Sequence, residues 1–201
     1  MIERTRKERK RLRLKEYDYS QPGAYFVTIC TKDREHRFGE IVGGQMRSNG
    51  LAAAVQSCWC DLPNHYPNIE LDEFVVMPNH VHGIIVILDE PMVGEPTVGD
   101  GLRPSPTGPS PTRKHPLSEI VRAFKSFSAR RINEITNTPG TPVWQRGYYD
   151  HIIRDDRSLT RIREYIAQNP QRWALDRENP NFEESETRES PCSKSEFHQV
   201  C

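Results

Sequence analysis

Two histidines one residue apart, His80 and His82, are the first residues in the sequence that could do chemistry. Side chains alternate along a β-strand, so at this spacing both imidazoles point to one face, about 7 Å apart along the backbone. Two imidazoles placed in this way can bind one metal ion. Alone, the pair is more typical of two polar residues at the start of a strand. The apolar strand that follows favours a metal site instead, because it predicts that both histidines are buried. A buried, desolvated imidazole needs a partner for its polar nitrogens.

A tyrosine and an asparagine form the second candidate, near the end of a predicted helix. Tyr165 and Asn169 are four residues apart and therefore share one helix face. Leu159, Ile162 and Ile166 form the neighbouring apolar stripe, which predicts that the helix packs on a core with Tyr165 at the edge of the contact. The alternative is a partly buried structural tyrosine, with Asn169 serving only as the C-terminal cap.

The third feature combines aromatic and basic residues over residues 143–154. Aromatic rings stack on nucleobases and arginines bind phosphates, so this composition favours contact with nucleic acid. The alternative is an ordinary strand with a solvated face. Cationic side chains on the polar part of a preceding helix complete the predicted DNA-binding set, which is Lys125, Arg130, Arg131, Arg146, His151 and Arg154.

The elements that must position these residues follow from composition and periodicity. Strands are predicted over 25–31, 40–47, 71–77, 80–88 and 148–154, and helices over 51–65, 117–135 and from Asp155 or Asp156 to 169. The second strand is expected to form a hairpin with the first. This order of strands and helices favours an α+β fold, with one antiparallel sheet and helices packed on a face.

The strand that carries the histidines continues into an apolar run over residues 84–88. Such a run is typical of a central strand buried on both faces. The following stretch, residues 89–116, is rich in Pro and Gly, and we expect a flexible insertion there.

The zero net charge of the chain hides an asymmetry between its ends. Residues 1–15 carry eight basic and two acidic side chains, whereas residues 176–201 carry three basic and seven acidic ones. We therefore divide the chain into a basic arm over 1–20, a folded domain over 21–174 and an acidic, disordered tail over 175–201. A basic arm beside a folded domain is a footprint for nucleic acid, although it also occurs as a solubilising terminus.

The five cysteines show neither a disulfide framework nor a paired C-x-x-C spacing for zinc, so we expect reduced thiols. The basic N-terminal stretch has no apolar run behind it, unlike a signal peptide. No run of about 18 apolar residues could cross a membrane. These features predict a cytoplasmic protein without a membrane partner.

Taken together, five segments resemble the IS200-like transposases, which are single-tyrosine HUH endonucleases, and most closely the subgroup associated with repeated extragenic palindromes (REP). They are LKEYDYSQPGAYFVT at 14–28, MPNHVH at 77–82, FKSF at 124–127, WQRGYYDH at 144–151 and YIAQNP at 165–170. The resemblance spans roughly residues 13–173. It implies a ferredoxin-like α+β fold, with His80 and His82 as metal ligands and Tyr165 as the nucleophile. Asn169 stands where related transposases carry a glutamine that completes the metal site, and its amide oxygen suits Mg²⁺ or Mn²⁺.

The activity that this resemblance implies is cleavage and rejoining of single-stranded DNA, at hairpins or palindromic repeats, through a 5′-phosphotyrosine intermediate. The protein is then expected to act as a monomer or a homodimer. Three alternatives stay open from the residues alone: a palindrome-binding protein that no longer cuts, a metal-dependent hydrolase of small substrates, and a purely structural α+β domain.

Overall fold

The computed structural model describes residues 17–89, 114–175 and 179. Most of the predicted basic arm, insertion and acidic tail lies outside these residues. The strands are β1 (Gly23–Cys30), β2 (Gly39–Val42), β3 (Gln45–Ser48), β4 (Ile69–Val76), β5 (His80–Ile87) and β6 (Tyr149–Ile153). The helices are α1 (Gly50–Cys60), α2 (Leu62–His65), α3 (Leu117–Thr136) and α4 (Asp156–Gln168).

Four strands form one antiparallel sheet in the order β4-β5-β1-β6. The predicted α+β class, an antiparallel sheet with helices packed on it, is therefore confirmed. Strand β5 lies between β4 and β1, and seven of its eight residues are buried. The apolar run thus marks a central strand, as its composition predicts.

Alternation along β5 divides the sheet into two faces. Val81 and Ile85 point into the larger core. Helices α1 and α3 cover this core, and they contribute Trp59 and Phe124 to it. Ile84 points to the opposite face, where it joins a smaller core under α4. His80 and His82 share the parity of Ile84, so they lie on the α4 face.

Gly83 allows α1 to approach the sheet closely. A Cβ atom at this position would lie 2.4 Å from Cζ2 of Trp59, closer than any real side-chain contact. The glycine directly after His82 therefore fixes how the larger core packs against the strand that carries both histidines.

Helix α4 begins where the sequence indicates. The Asp155 carboxylate accepts a hydrogen bond from the Ser158 backbone N–H at 2.7 Å, and this caps the first turn. Ile162 and Ile166 are buried against the sheet and Leu159 packs beside them, so the predicted apolar stripe is the buried face of the helix.

Two predicted elements differ from the structure. The strand over 40–47 is not a partner of β1: it forms a separate ribbon of β2 and β3, because Gly43 and Gly44 adopt positive φ angles of 58° and 76° and make a tight turn within it. The helix over 51–65 is interrupted after Cys60, since Pro63 has no N–H with which to continue the hydrogen bonding of α1. No described helix is long and apolar enough to cross a membrane.

Candidate active site

The two histidines meet at the beginning of β5. His80 is fully buried and His82 is 4% exposed. Their Nε2 atoms lie 3.0 Å apart, so both rings turn the same nitrogen toward one point. The predicted placement of the pair on one face of a strand is confirmed.

Asn79 determines which nitrogen of His80 carries the proton. Its Nδ2 donates to the Arg34 carbonyl at 3.3 Å, so its Oδ1 faces His80 Nδ1 at 2.8 Å. An amide oxygen only accepts hydrogen bonds, and His80 Nδ1 must therefore carry the hydrogen. The lone pair of the neutral ring is then on Nε2, the atom that faces His82.

His82 is held by β1, the neighbouring strand. The Thr28 hydroxyl lies 2.8 Å from His82 Nδ1, and the Phe26 ring stacks on the imidazole at 5.4 Å with an interplanar angle of 25°. A hydroxyl can donate or accept, so Thr28 supports either tautomer of His82. When Thr28 accepts from Nδ1–H, Nε2 of His82 also presents a lone pair.

Burial keeps both imidazoles neutral. It lowers the pKa of His80 well below the usual range, and the nearby His82 and Arg34 lower it further. Burial alone lowers the pKa of His82 to about 3. Neutral imidazole is the form that binds metal ions, so the site needs no proton loss at neutral pH.

Helix α4 brings Tyr165 to this pair. Its hydroxyl oxygen is 3.4 Å from His82 Nε2, and the two ring centroids are 5.3 Å apart. The edge of Phe26 contacts the tyrosine ring at 6.0 Å, so one phenylalanine supports both side chains. Residues 83 positions apart in the sequence thus form one cluster within a single chain.

Asn169 is the C-cap residue of α4 and is only 2% exposed. Its Oδ1 is buried without a hydrogen-bond partner among the described residues. Such an atom is costly to bury unless something binds it, and an amide oxygen is a good ligand for a hard divalent ion. The alternative role of Asn169 as a cap does not account for this oxygen.

The available donors fit a divalent ion. Two ligands at neighbouring corners of an octahedron with bonds of 2.0–2.1 Å lie about 3 Å apart, close to the separation of the two Nε2 atoms. No group of three or more His, Cys, Asp or Glu within the described residues could hold a metal. Asn169, one helical turn from Tyr165, is therefore the candidate for the third protein ligand.

Comparison with known proteins places this arrangement in a family. The family model described as "Transposase IS200 like" matches residues 110–169, which include α3, β6 and α4. An uncharacterised protein of Haemophilus influenzae is 42% identical over 171 residues, covering 84% of this chain and 91% of the relative. The chain belongs to the IS200-like transposase family.

A more distant relative agrees with this assignment, and a solved structure shares the fold. A Haemophilus influenzae protein described as a REP-associated tyrosine transposase is 27% identical over 153 residues, covering 76% of this chain and 73% of the relative. A solved structure of a REP-associated tyrosine transposase bound to a REP hairpin has a TM-score of 0.51 and 15% identity, covering 82% of this chain and 75% of that one. At that identity the structure shows a shared fold.

The candidate site also contains residues to which the sequence assigns no role. Thr28 and Asn79 lie within the quoted segments, but their function depends on contacts that only folding creates. Thr28 faces His82 across the β1–β5 pairing, 54 residues apart in the chain. Trp173 packs on His80 at 6.0 Å and on His36 at 5.7 Å, closing the side of the site that follows α4.

The predicted DNA-binding residues do not form one patch on this transposase. Lys125 and Arg146 line the same groove beside α3. Arg130 lies over the Phe127 ring at 5.2 Å, and Arg131 lies 3.8 Å from Glu134 on the outer surface of the helix.

His151 and Arg154 lie apart from that groove. His151 is opposite Phe26 in the β1–β6 pairing, which puts it on the α4 face of the edge strand. Arg154 follows the far end of β6, remote from the end of the sheet that carries His80. The role of all six residues in DNA binding stays a prediction.

Proposed function

We propose that this protein cleaves and rejoins single-stranded DNA at hairpins or palindromic repeats, with Tyr165 as nucleophile and a divalent ion on His80, His82 and Asn169. The observation that carries the proposal is the 3.4 Å approach of the Tyr165 hydroxyl to a buried, neutral histidine pair. A phenol beside two histidines that can bind a metal ion suits nucleophilic attack on a phosphodiester. It suits hydrolysis of a small molecule by metal-activated water less well.

The reaction replaces one phosphoester bond with another. The Tyr165 oxygen forms a bond to phosphorus, the bond to the 3′ oxygen breaks, and the phenolic proton ends, directly or through water, on the released 3′-hydroxyl. Reversal by a 3′-hydroxyl rejoins the strand without an external energy source, because the phosphotyrosine conserves the phosphodiester bond. A phenol with a pKa near 10 is a weak nucleophile at neutral pH, so positioning matters. When bound, the divalent ion supplies polarisation of a nonbridging phosphate oxygen.

The side chains around Tyr165 hold it in place beside the buried histidine pair. Phe26 contacts both Tyr165 and His82, and Trp173 covers His80. Tyr165 thus needs little further ordering before attack, which lowers the entropic cost of reaching the transition state.

The donor set favours Mn²⁺ over Mg²⁺. Two imidazole nitrogens are softer ligands than the oxygens and waters with which Mg²⁺ surrounds itself, while the Asn169 amide oxygen suits either ion. Cleavage is therefore expected at lower concentrations of Mn²⁺ than of Mg²⁺.

Hairpin DNA is the substrate that the relatives support. One relative is described as REP-associated, and a fold relative was solved with a REP hairpin. The aromatic-basic segment over residues 143–154 favours contacts with the phosphates and bases that flank such a hairpin.

The proposal is tested by incubating the protein with a hairpin oligonucleotide carrying single-stranded flanks and Mn²⁺. A covalent protein–DNA band is expected, absent for Tyr165→Phe and absent in excess EDTA. Tyr149→Phe is the matched control, since Tyr149 also contacts Phe26 but lies on the edge strand β6, two strands from β5, and it should retain the band. Hairpin binding without a band in the parent protein would favour the palindrome-binding alternative.

We further propose that Tyr165 acts with the histidines of its own chain. A mixture of the Tyr165→Phe and His82→Ala variants then stays inactive, because neither chain holds a complete site. Restoration of the covalent band in the mixture would show exchange of α4 between subunits.

A further inference from the structure

A groove on the opposite side of the sheet from Tyr165 has no role in the proposed cleavage step. It lies between α3 and the segment 141–148 and has a volume of about 520 Å³. Its lining combines apolar and cationic side chains, of which Arg122, Lys125, Trp144, Arg146 and Tyr148 matter below.

The floor of the groove is rigid because buried polar groups are paired. Trp144 Nε1 donates to Ser128 Oγ at 3.0 Å, and that hydroxyl donates to the Phe124 carbonyl at 2.6 Å. Lys125 Nζ donates to the carbonyl oxygens of Gln145, Arg146 and Gly147 at 2.6, 3.1 and 3.1 Å. Lys125 thus holds the loop before β6 in one conformation. Burial lowers the pKa of its ammonium.

The charge of the groove has one sign. Arg122, Lys125 and Arg146 line it, whereas no Asp or Glu does. Arg122 and Arg146 are exposed, and neither forms an ion pair within the described part of the chain. The potential of such a concave, uncompensated surface attracts an anion.

The apolar part of the lining indicates which chemical group the anion has besides its negative charge. Tyr148 is half-buried and offers a flat ring next to the two arginines, whereas Trp144, Val121 and Val143 are buried and form the apolar floor. A nucleotide combines a flat ring with a phosphate, and it matches this pairing of surfaces better than an acidic peptide, which has charge without an obligatory ring.

The groove also lies within reach of the catalytic residues. The Gln145 N–H donates to the Cys30 carbonyl at 2.9 Å, and Cys30 pairs with His80 in the sheet. One end of the groove is thus two steps across the sheet from His80, which is roughly 10 Å at the usual spacing between strands. A DNA strand that passes around this end of the sheet can touch both places.

We propose that this groove binds one unpaired nucleotide of the same DNA strand that is cut, with its base beside Tyr148 and its phosphate between Arg122 and Arg146. The proposal rests on the proposed function, since it assigns a second contact to the same substrate. It makes the groove an anchor that selects where the strand enters the site.

The test measures binding of a fluorescent hairpin oligonucleotide with single-stranded flanks to the full chain carrying Tyr165→Phe, which prevents cleavage. Arg122→Ala with Arg146→Ala, and separately Ser126→Trp to fill the groove, should each weaken binding about tenfold, within the range for losing one stacked base. The matched controls are Arg157→Ala, an exposed arginine on α4, and Gln56→Trp, which fills the groove between α1 and β4 instead. Both should bind like the parent.

A photocrosslinking arm locates the base directly. Oligonucleotides with 5-iodouracil placed successively in the flanks should give one position that crosslinks to the peptide containing residues 141–148, and an abasic site there should weaken binding as the variants do. Unchanged affinity of the groove variants, or crosslinks confined to other peptides, would overturn the proposal. So would displacement of the crosslink by a peptide of residues 175–201 but not by mononucleotides. A parent protein that binds and crosslinks in this way but never forms the covalent band would overturn the proposed cleavage and leave the groove assignment intact.

Discussion

A histidine binds a metal through a ring nitrogen without a proton, and at His80 the surrounding chain decides which nitrogen that is. Asn79 accepts the Nδ1 hydrogen, and Asn79 is itself oriented by the Arg34 carbonyl. Arg34 and the preceding Asp33 adopt φ angles of 56° and 54°, a left-handed conformation that costs L-residues of order 1 kcal/mol each. Local backbone strain is thus tied to the orientation of one metal-competent ring.

Replacing Asn79 with alanine should weaken Mn²⁺ binding by 10- to 100-fold, the usual effect of removing a partner of a metal-bound histidine. The physical reason is that His80 is no longer held with its lone pair on Nε2. Titration calorimetry measures the affinity, with Asn64→Ala, an exposed asparagine bonded to Asp61, as the control. Equal affinities for both variants would show that Asn79 does not orient the ligand.

The stability of the metal-free protein should fall as the pH is lowered below about 6.5. The pKa of His82 is about 3 in the folded protein against 6.5 when exposed, so between these values only the unfolded chain takes up the proton. Stability is therefore complete above about pH 6.5 and is lost as the pH falls, by about 2 kcal/mol at pH 5 for His82 alone. Urea unfolding in EDTA at pH 7.5 and pH 5 measures this change, and a smaller pH dependence is expected for His82→Gln.

At the scale of elements, the position of Tyr165 depends on how α4 lies on the sheet. The apolar stripe of the helix supplies most of the contact, and an ion pair fixes its outer side. Arg163 Nε lies 3.0 Å from both carboxylate oxygens of Asp72, and Nη2 lies 2.5 Å from one of them. This pair joins the helix that carries Tyr165 to the edge strand β4, and Arg163 holds the pKa of Asp72 below its usual value.

Asp72→Asn should therefore reduce cleavage more than it reduces stability. The pair is partly exposed, and such pairs contribute at most about 1 kcal/mol to the free energy of unfolding. A small shift of Tyr165 affects in-line attack much more strongly, so we expect a several-fold slower appearance of the covalent band with unchanged Mn²⁺ affinity. Glu73→Gln, at the neighbouring exposed carboxylate, is the control. A loss of metal affinity in Asp72→Asn would instead point to a disturbed β5.

The elements were more predictable than their pairing. Periodicity and composition predict β1, β5, α3 and α4 to within a few residues, because each buries one face or lies between two layers. Neither periodicity nor composition tells which strands pair with each other, so the ribbon of β2 and β3 is mistaken for one strand in a hairpin with β1. Thr28 was missed for the same reason, since its contact with His82 depends on the register between distant strands. The approach of Tyr165 to the histidines was expected only from the family resemblance.

At the scale of the whole molecule, the sheet separates the candidate active site from the cationic groove. One face holds the histidine pair and Tyr165 under α4, and the other holds the cationic groove beside α3. Both reach the same end of the sheet, where β1 ends and β5 begins. A single DNA strand that folds around this end can contact both surfaces without any movement of the domain.

Binding of Mn²⁺ should stabilise the whole fold, because the proposed ligands come from β5 and the end of α4. An ion that binds only the folded state raises the free energy of unfolding by about 2.7 kcal/mol at 100 times its dissociation constant. Thermal unfolding with and without Mn²⁺ measures this effect. Asn169→Ala should reduce the increase, and a full increase in that variant would remove Asn169 from the ligand set.

The pairing of β1 with β5 and β6 also orders events during synthesis. Phe26 meets His151 across the sheet, so β1 waits for a partner made more than a hundred residues later, on the order of ten seconds at 5–20 residues per second. Tyr165 emerges later still. A nascent chain can therefore expose its histidines to the ribosome and nearby nucleic acid well before Tyr165 is made, and the proposed cleavage requires that the last strand of the sheet has already been translated.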